Sequence, residues 1–284
     1  MKSGDRLLST LWLFSAERPI LTADEIAVGL TVSLSTAYRY VAQLCEAGML
    51  APMGSVGYGL GPAIIELDRQ IRQSDPLVQS AAPVLRRLLD HVGPTAGLLL
   101  CRLYRDQVMC VAEVRGARAV EHTSFERGRP MPLLRGAPSK AILANLPPRR
   151  AEQLWLGEAP RETDRDPDWA RFRAHLAGIR KAGVVVSHGE VDPGVVGVAA
   201  PVFEQPGRRT IGAVAAVLPE ETATPPVIAR ISILIRASAD EITATLAERE
   251  ERKPPPGPTE TPSPKSPATS LQSEVVSARV ARRS

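Results

Sequence analysis

Near the N-terminus, Leu7, Leu8, Leu11 and Trp12 recur at helical spacing, which predicts a first helix over residues 6–15 with those four side chains inward and an exit at Pro19. Thr22-Ala23-Asp24-Glu25 has the form of a capping box: the Thr22 hydroxyl accepts the Glu25 amide, and the Glu25 carboxylate reaches back. Ile26, Ala27 and Leu30 then give the buried stripe of a second helix. After a short turn at Thr31-Val32, Ser33 is a suitable N-cap for a third helix ending near residue 47. Its inward face is Ala37, Tyr40 or Val41, and Leu44, with Gly48 at the C-terminal cap. Residues 49–53 and 56–60 flank Gly54-Ser55, whose leading glycine fits a two-residue type II′ hairpin. Three helices and a two-stranded wing make a winged helix-turn-helix.

The pattern then changes. Leu77, Val84, Leu85 and Leu88 lie at helical spacing, and Gly93-Pro94 ends the run. Two β-rich stretches, 98–103 and 108–114, are joined across Tyr104-Arg105-Asp106-Gln107, which predicts a hairpin. A turn centred on Arg105-Asp106 sets Cys101 directly opposite Cys110. A short helix over 139–146 is ended by Pro147-Pro148. A longer one over 167–181 is capped near Asp166 and stopped by Gly183. Strands follow at 184–187, 197–203 and 211–218, the last two joined across Gln205-Pro206-Gly207. Pro225 and Pro226 open a terminal helix carrying Ile228, Ile231, Leu234, Ile235, Ile242 and Leu246. Strand pairs joined by short loops indicate an α+β fold with a sensor-like sheet, not a doubly wound parallel one. Residues 251–284 hold seven prolines among serines, threonines and charges; they read as a disordered tail that folding does not need.

Composition narrows the function classes. The chain has 284 residues, 44% of them apolar and 23% charged, as in an ordinary globular protein of about two domains. No apolar run approaches the roughly 18 to 20 residues of a membrane helix. Lys2, Asp5 and Arg6 precede only a short apolar run with no cleavage-type site, so no signal peptide is expected. Three cysteines without a C-x-x-C motif exclude a disulfide scaffold and a sulfur-rich zinc site, and point to the reducing cytosol. The net charge of +4 does not by itself mark a DNA binder. Residues 1–74 carry six basic and seven acidic side chains, and the surplus is weighted toward the tail, where residues 251–284 carry six and three.

In a helix-turn-helix the second helix of the pair presents its N-terminal residues to the major groove. Those residues are Ser33, Leu34, Ser35, Thr36, Tyr38 and Arg39, with Ser55 at the wing tip. Short hydroxyls and free amides at a helix start suit phosphates, and Arg39 suits a phosphate or a guanine edge. The plainer alternatives are a cap with a solvated face, or a winged helix that binds protein.

The sequence resembles the IclR family of bacterial transcriptional regulators over about residues 4–248. Three groups of residues carry the likeness. The first is Glu25-Ile26-Ala27 through Ser35-Thr36-Ala37-Tyr38-Arg39 to Leu44 and Gly48. The second is the wing end Tyr58-Gly59-Leu60-Gly61. The third is Gly128-Arg129-Pro130-Met131-Pro132-Leu133, Lys140-Ala141-Ile142-Leu143-Ala144, Glu190 with Gly194, and Ala199-Ala200-Pro201-Val202-Phe203. Their order and spacing are specific together, although each is weak alone. The resemblance implies a winged helix over 1–61, a linker helix over 62–74 and a GAF-like effector domain over 75–250. It also implies a homodimer or dimer of dimers, double-stranded operator DNA as partner, and a small metabolite that changes DNA affinity in a repressor or activator. Two residues depart from the family pattern. Thr31 stands where a turn glycine is usual, and a β-branched residue is disfavoured at positive φ. Leu34 stands where a basic or polar residue is common.

By alignment with relatives, the resemblance places effector contacts at Ala137, Pro138, Ser187, Gly197, Ala215 and Val217, with Ser139, Met131 and Leu133 beside them. Relatives that take small carboxylates carry Ser, Cys or Asp at several of these positions. So apolar a set implies an effector less polar than pyruvate-like acids, or plain core with no ligand. Arg135 is the residue that would reverse this if it turned inward. His91, His122, His175 and His188 lack metal-ligand spacing. Ser139-Lys140 sits adjacent on a helix and so points in two directions, and no phosphate loop, dinucleotide fingerprint or Gly-x-Ser-x-Gly occurs. No cofactor and no enzymatic activity is expected. The alternative from another class is a thiol redox sensor or enzyme using Cys101 and Cys110, against the simpler view that both are small buried hydrophobes.

Overall fold

The computed structural model describes residues 3–157, 168–205 and 209–252. The first helix, α1 (Ser3–Ser9), is shorter than its sequence pattern predicts and tightens into a 3₁₀ turn over Thr10–Leu13. Two adjacent stripes compete on this element. Leu7 and Leu11 pack against the core with Leu13 and Phe14, whereas Leu8 and Trp12 are 60% and 66% exposed, contrary to the expectation that all four face inward. Residues four apart share a face, so each stripe is self-consistent and the sequence alone does not rank them. The exposed Trp12 ring lies under the Arg105 guanidinium at 4.9 Å.

Helix α2 (Ala23–Leu30) begins with the predicted capping box: the Glu25 amide donates to Thr22 Oγ1 at 3.2 Å, and the Thr22 amide to Glu25 Oε2 at 2.8 Å. It leaves through Thr31 at φ 54°, ψ 53°, the left-handed conformation. Helix α3 (Leu34–Glu46) starts at Ser33, whose Oγ accepts the Thr36 amide at 3.3 Å. The wing pairs β1 (Leu50–Pro52) with β2 (Tyr58–Leu60), Pro52 opposite Tyr58. Gly54 and Ser55 do form the centre of a turn, closed by the Val56 amide on the Met53 carbonyl. The Met53 amide, however, skips to Gly57, so Val56 is an extra residue and the expected two-residue hairpin is one residue longer. Leu21, Ile26, Ala27, Ala37, Val41, Leu44 and Leu50 close a core drawn from this part alone.

Helix α4 (Ala63–Ser74) buries none of its residues and leaves Ile65, Leu67 and Ile71 exposed. Asp75 separates it from α5 (Pro76–Val92), accepting the Leu77 amide at 2.9 Å. Beyond lies a six-stranded antiparallel sheet. Its spatial order is β5 (Pro130–Met131), β4 (Gln107–Arg115), β3 (Gly97–Tyr104), β8 (Arg209–Pro219), β7 (Val195–Glu204), β6 (Val185–His188). Helix α5 and the long α9 (Pro225–Glu251) cover one face through Leu85, Leu88, Ile231 and Ile235. Helices α6 (Ala137–Leu143), α7 (Pro148–Gly157) and α8 (Trp169–Ala182) cover the other through Ile142, Leu154 and Leu176.

The β3–β4 hairpin turns at Arg105-Asp106 as expected, with Arg105 at φ 55° and Cys101 opposite Cys110. Three boundaries differ from the sequence reading. Helix α6 starts two residues earlier and ends at Leu143 rather than 146. Pro148 does not only end a helix; it opens α7, because a first-turn proline has no amide to lose. Helix α8 is capped by Asp168, whose Oδ1 accepts the Ala170 amide at 2.8 Å; the expected cap, Asp166, lies outside the described residues. The two-residue β5 carries too short a pattern to be seen in advance. The expected disordered tail falls outside the described residues apart from Glu251 and Arg252, as do Pro206 and Gly207 of the predicted β7–β8 turn. Among the described residues no helix is long and apolar enough to cross a membrane, and no group of three or more histidine, cysteine or acidic side chains is arranged to hold a metal.

Candidate functional site

The six aligned effector positions meet at one place. Ser187 of β6, Gly197 of β7, Val217 of β8 and Gly97 of β3 form a single row across four strands. The first turn of α6 lies on that row. A methyl group on Gly197 would stand 3.0 Å from Ser187 Oγ and 3.2 Å from the Ala137 Cβ. Glycine there is what lets α6 approach so closely. Ala215 belongs to the next row, between Ala199 and Leu99. Ala137, Pro138, Ser139, Met131, Leu133, Ser187, Gly197, Ala215 and Val217 are all buried.

Both hydroxyls in this set are partly used. Ser187 Oγ accepts the Ala137 amide at 3.1 Å, which leaves its own proton to donate. Ser139 Oγ donates to the Pro132 carbonyl at 2.8 Å, which leaves its lone pairs to accept. The site therefore offers one donor and one acceptor inside an apolar shell. Arg135 does not turn inward: its side chain is exposed and its guanidinium donates to the Glu190 carbonyl.

Glu190 is the residue that sequence reasoning underused. Its carboxylate takes the Lys140 ammonium at 2.5 Å on Oε1 and the Gly136 amide at 2.9 Å on Oε2. Both Lys140 and Glu190 stood in the family motif, but without a role. Two positions on, Asp192 accepts the Ser124 amide at 2.8 Å and the Ser124 hydroxyl at 2.5 Å. Phe125 and Val191 crowd Gly136, which sits at φ 83°; a Cβ there would lie 2.9 and 3.0 Å from them. The segment 189–194 is thus fastened by two acids, to the start of α6 through Glu190 and to Ser124 through Asp192.

On the N-terminal part, α3 presents Ser33, Leu34, Ser35, Tyr38 and Arg39 to solvent, with Leu34 and Tyr38 41% and 51% exposed. Thr36 is half-buried, its Oγ1 2.9 Å from Ser33 Oγ. Arg39 reaches over the Tyr40 ring at 5.7 Å, and no acidic side chain pairs with it among the described residues. Ser55 is exposed at the wing tip. The two regions are joined through α4. Arg127 donates from Nε to the Val111 carbonyl of β4 at 2.9 Å, and from Nη2 to Asp68 of α4. The Arg127 contact holds the Asp68 carboxyl below its ordinary range.

Cys101 and Cys110 are fully buried free thiols. The hydrogen bond with the Cys110 thiol, together with burial, holds Cys101 well above the usual thiol range. A thiol so disfavoured as thiolate is a poor nucleophile, which supports the reading of the pair as packing residues.

Comparison with known proteins gives consistent matches. Residues 70–244 match the family model for the bacterial transcriptional regulator IclR C-terminal region. The HTH-type transcriptional regulator BhcR of Paracoccus denitrificans is 28% identical over 217 residues, covering 75% of this chain and 76% of that protein. The HTH-type transcriptional regulator Rv1719 of Mycobacterium tuberculosis is 31% identical over 186 residues, 63% of this chain and 68% of its own. Among solved structures, an IclR homolog from Microbacterium hydrocarbonoxydans, complexed with 4-hydroxybenzoate, superposes with a TM-score of 0.72 at 25% identity. That match covers 87% of this chain and all of the other.

Proposed function

The chain belongs to the IclR family of bacterial transcriptional regulators, and from that premise we propose that α3 reads operator DNA while the row beneath α6 holds the effector. The protein is a DNA-binding transcriptional regulator whose affinity for DNA is modulated by a small metabolite. The observation that carries our assignment of residues is the solvent face of α3: a capped first turn whose Ser33, Ser35 and Thr36 hydroxyls are linked to one another, and an Arg39 that no acid neutralises among the described residues. Ser33, Ser35 and Thr36 supply phosphate contacts, and Arg39 with Tyr38 supplies the base-edge or backbone contact that fixes register. The wing, with Ser55 at its tip, lies against the adjacent backbone.

The effector is an aromatic or branched aliphatic compound with one polar end directed at Ser187 and Ser139, less polar than pyruvate-like acids. An apolar shell with one donor and one acceptor favours shape and burial, each buried CH₂ being worth about 0.8 kcal/mol. The 4-hydroxybenzoate carried by the Microbacterium homolog has such a body. Ligand in this row displaces the segment 189–194 and the strands around it, and Arg127 passes the change from β4 to Asp68 of α4. The functional units are the winged helix over 1–61, the linker helix over 62–74 and the effector domain over 75–250, acting in the cytoplasm. A second copy covers the exposed Ile65, Leu67 and Ile71 of α4, giving a homodimer or a dimer of dimers.

The test is fluorescence anisotropy of full-length protein on DNA flanking its own gene, with and without a panel of aromatic acids. Sequence-specific binding that shifts with one of them is expected. Binding indifferent both to DNA sequence and to every member of the panel overturns the assignment.

A further inference from the structure

A concave surface that shares no residue with the α6 row lies where β7 outruns its neighbour. Strand β6 pairs with β7 only as far as Val185 opposite Ala199. From Ala200 to Glu204, β7 therefore has no strand on that side among the described residues. A groove of about 700 Å³ opens there, between the ends of α6 and α8 and the flank of α9.

An open sheet edge ordinarily invites another strand. This one is closed to it. Pro201 has no amide to offer, and two residues on, the Phe203 amide is taken by Thr243 Oγ1 of α9 at 3.1 Å. An extended peptide would thus miss two successive donors of the edge. A small molecule meets no such obstacle. The floor carries Ala200, Pro201 and Ala239, while Arg180, Lys181, Arg209 and Arg236 stand on the walls against a lone acid, Asp240.

The sign of this charge is not explained by helix ends alone. Arg180 and Lys181 complement the C-terminus of α8, and Arg180 Nε donates to the Ala144 carbonyl at 2.7 Å. Arg209 and Arg236 come from β8 and α9 and serve no such end. Arg209 is held by Glu204 at 2.8 Å, but Lys181 and Arg236 have no ion-pair partner among the described residues. Asp240, one turn beyond Arg236, is not within pairing distance of it.

We propose that this groove is a second small-molecule site, one that takes a compact metabolite bearing two or more negative charges, as carboxylates or as a phosphate. It does not depend on the effector reading given above. The experiment is isothermal titration of the full chain at constant ionic strength with citrate, glycerol 3-phosphate and neutral glycerol. Saturable binding of either anion and none of glycerol is expected, and the arm that binds tells carboxylate from phosphate. A Lys181→Ala/Arg236→Ala variant should weaken it by roughly tenfold or more, since the loss of even one charged hydrogen bond is worth that much. Arg149→Ala/Arg173→Ala, which removes the same charge from exposed residues outside the groove, should leave it unchanged. No saturable binding of either anion, equal weakening in both double variants, or loss of binding in Ser187→Ala overturns the proposal.

Discussion

Replacing Thr31 by glycine should make this protein more stable. Helix α2 turns toward α3 through this one residue, held at φ 54°, ψ 53°, with its amide on the Val28 carbonyl at 3.1 Å and the Val32 amide on Ala27 at 3.0 Å. The Thr31 side chain is exposed, so its removal sacrifices no burial. An L-residue in the left-handed region carries about 1–2 kcal/mol of strain, and β-branching places threonine toward the upper end. Glycine removes that strain but gains about 0.5–1 kcal/mol of unfolded-chain freedom. The difference is a net stabilisation of roughly 0.5–1 kcal/mol for Thr31→Gly. Thr31→Val keeps the branching and the strain, and should lie within a few tenths of the wild type. Thermal melts of the full-length protein by circular dichroism should place Thr31→Gly about 1–4 °C above wild type. DNA affinity should hold, because the turn geometry is unchanged. A melting temperature at or below wild type, or a valine variant as stable as the glycine one, refutes the strain argument.

Arg39→Ala should lose specific DNA binding, by about 1–3 kcal/mol per half-site, and wild-type anisotropy titrations with the variant would refute that role. Ser187→Ala leaves the buried Ala137 amide without its acceptor and should cost about 1–3 kcal/mol in urea unfolding; an unchanged midpoint would show that the amide finds another partner. Asp68→Asn should cost less than about 1 kcal/mol at pH 7, since the pair with Arg127 is part-exposed. Because the Asp68 carboxyl titrates below its ordinary value, its contribution is fully present above that value and vanishes as pH falls through the depressed one. Wild type and Asp68→Asn should therefore converge in acid, and a gap that widens there contradicts the assignment. In a thermal-shift screen, aromatic and branched-chain compounds should stabilise the protein where pyruvate and glyoxylate do not; stabilisation by the small acids alone would reverse the effector class.

The elements with their own local chemistry were legible in the sequence. The capping box at Thr22, the cap at Ser33 and the Arg105-Asp106 turn are set by contacts within four residues, and the Cys101–Cys110 register follows from that turn. Choices between equivalent local patterns were not. The Leu7/Leu11 and Leu8/Trp12 stripes obey the same period, and only packing decides between them. The wing gained Val56 because its ladder is set by strands on both sides, including the bridge from Leu21 to Tyr58. The effector positions rested on the resemblance alone. Their convergence depends on a row of four strands, and the part Glu190 plays depends on a loop 50 residues away from Lys140. The cationic groove has no local signature, since it arises where one strand stops before its neighbour.

The sheet order carries a consequence for how the chain folds. The β3–β4 hairpin and the β6–β7–β8 meander each form from near neighbours, and among the described residues their strands are sewn together along β3–β8, for example at Arg102 and Gly212. Closing a loop of about 110 residues costs on the order of 4 kcal/mol in chain entropy before that seam returns anything. Assembly should then pass through a species with two half-sheets and two open edges, and the slow event should be their joining. The Ser187–Gly197–Val217–Gly97 row runs across this seam. A compound bound there would recognise only chains whose halves have met, and its binding signal during refolding would time that last step.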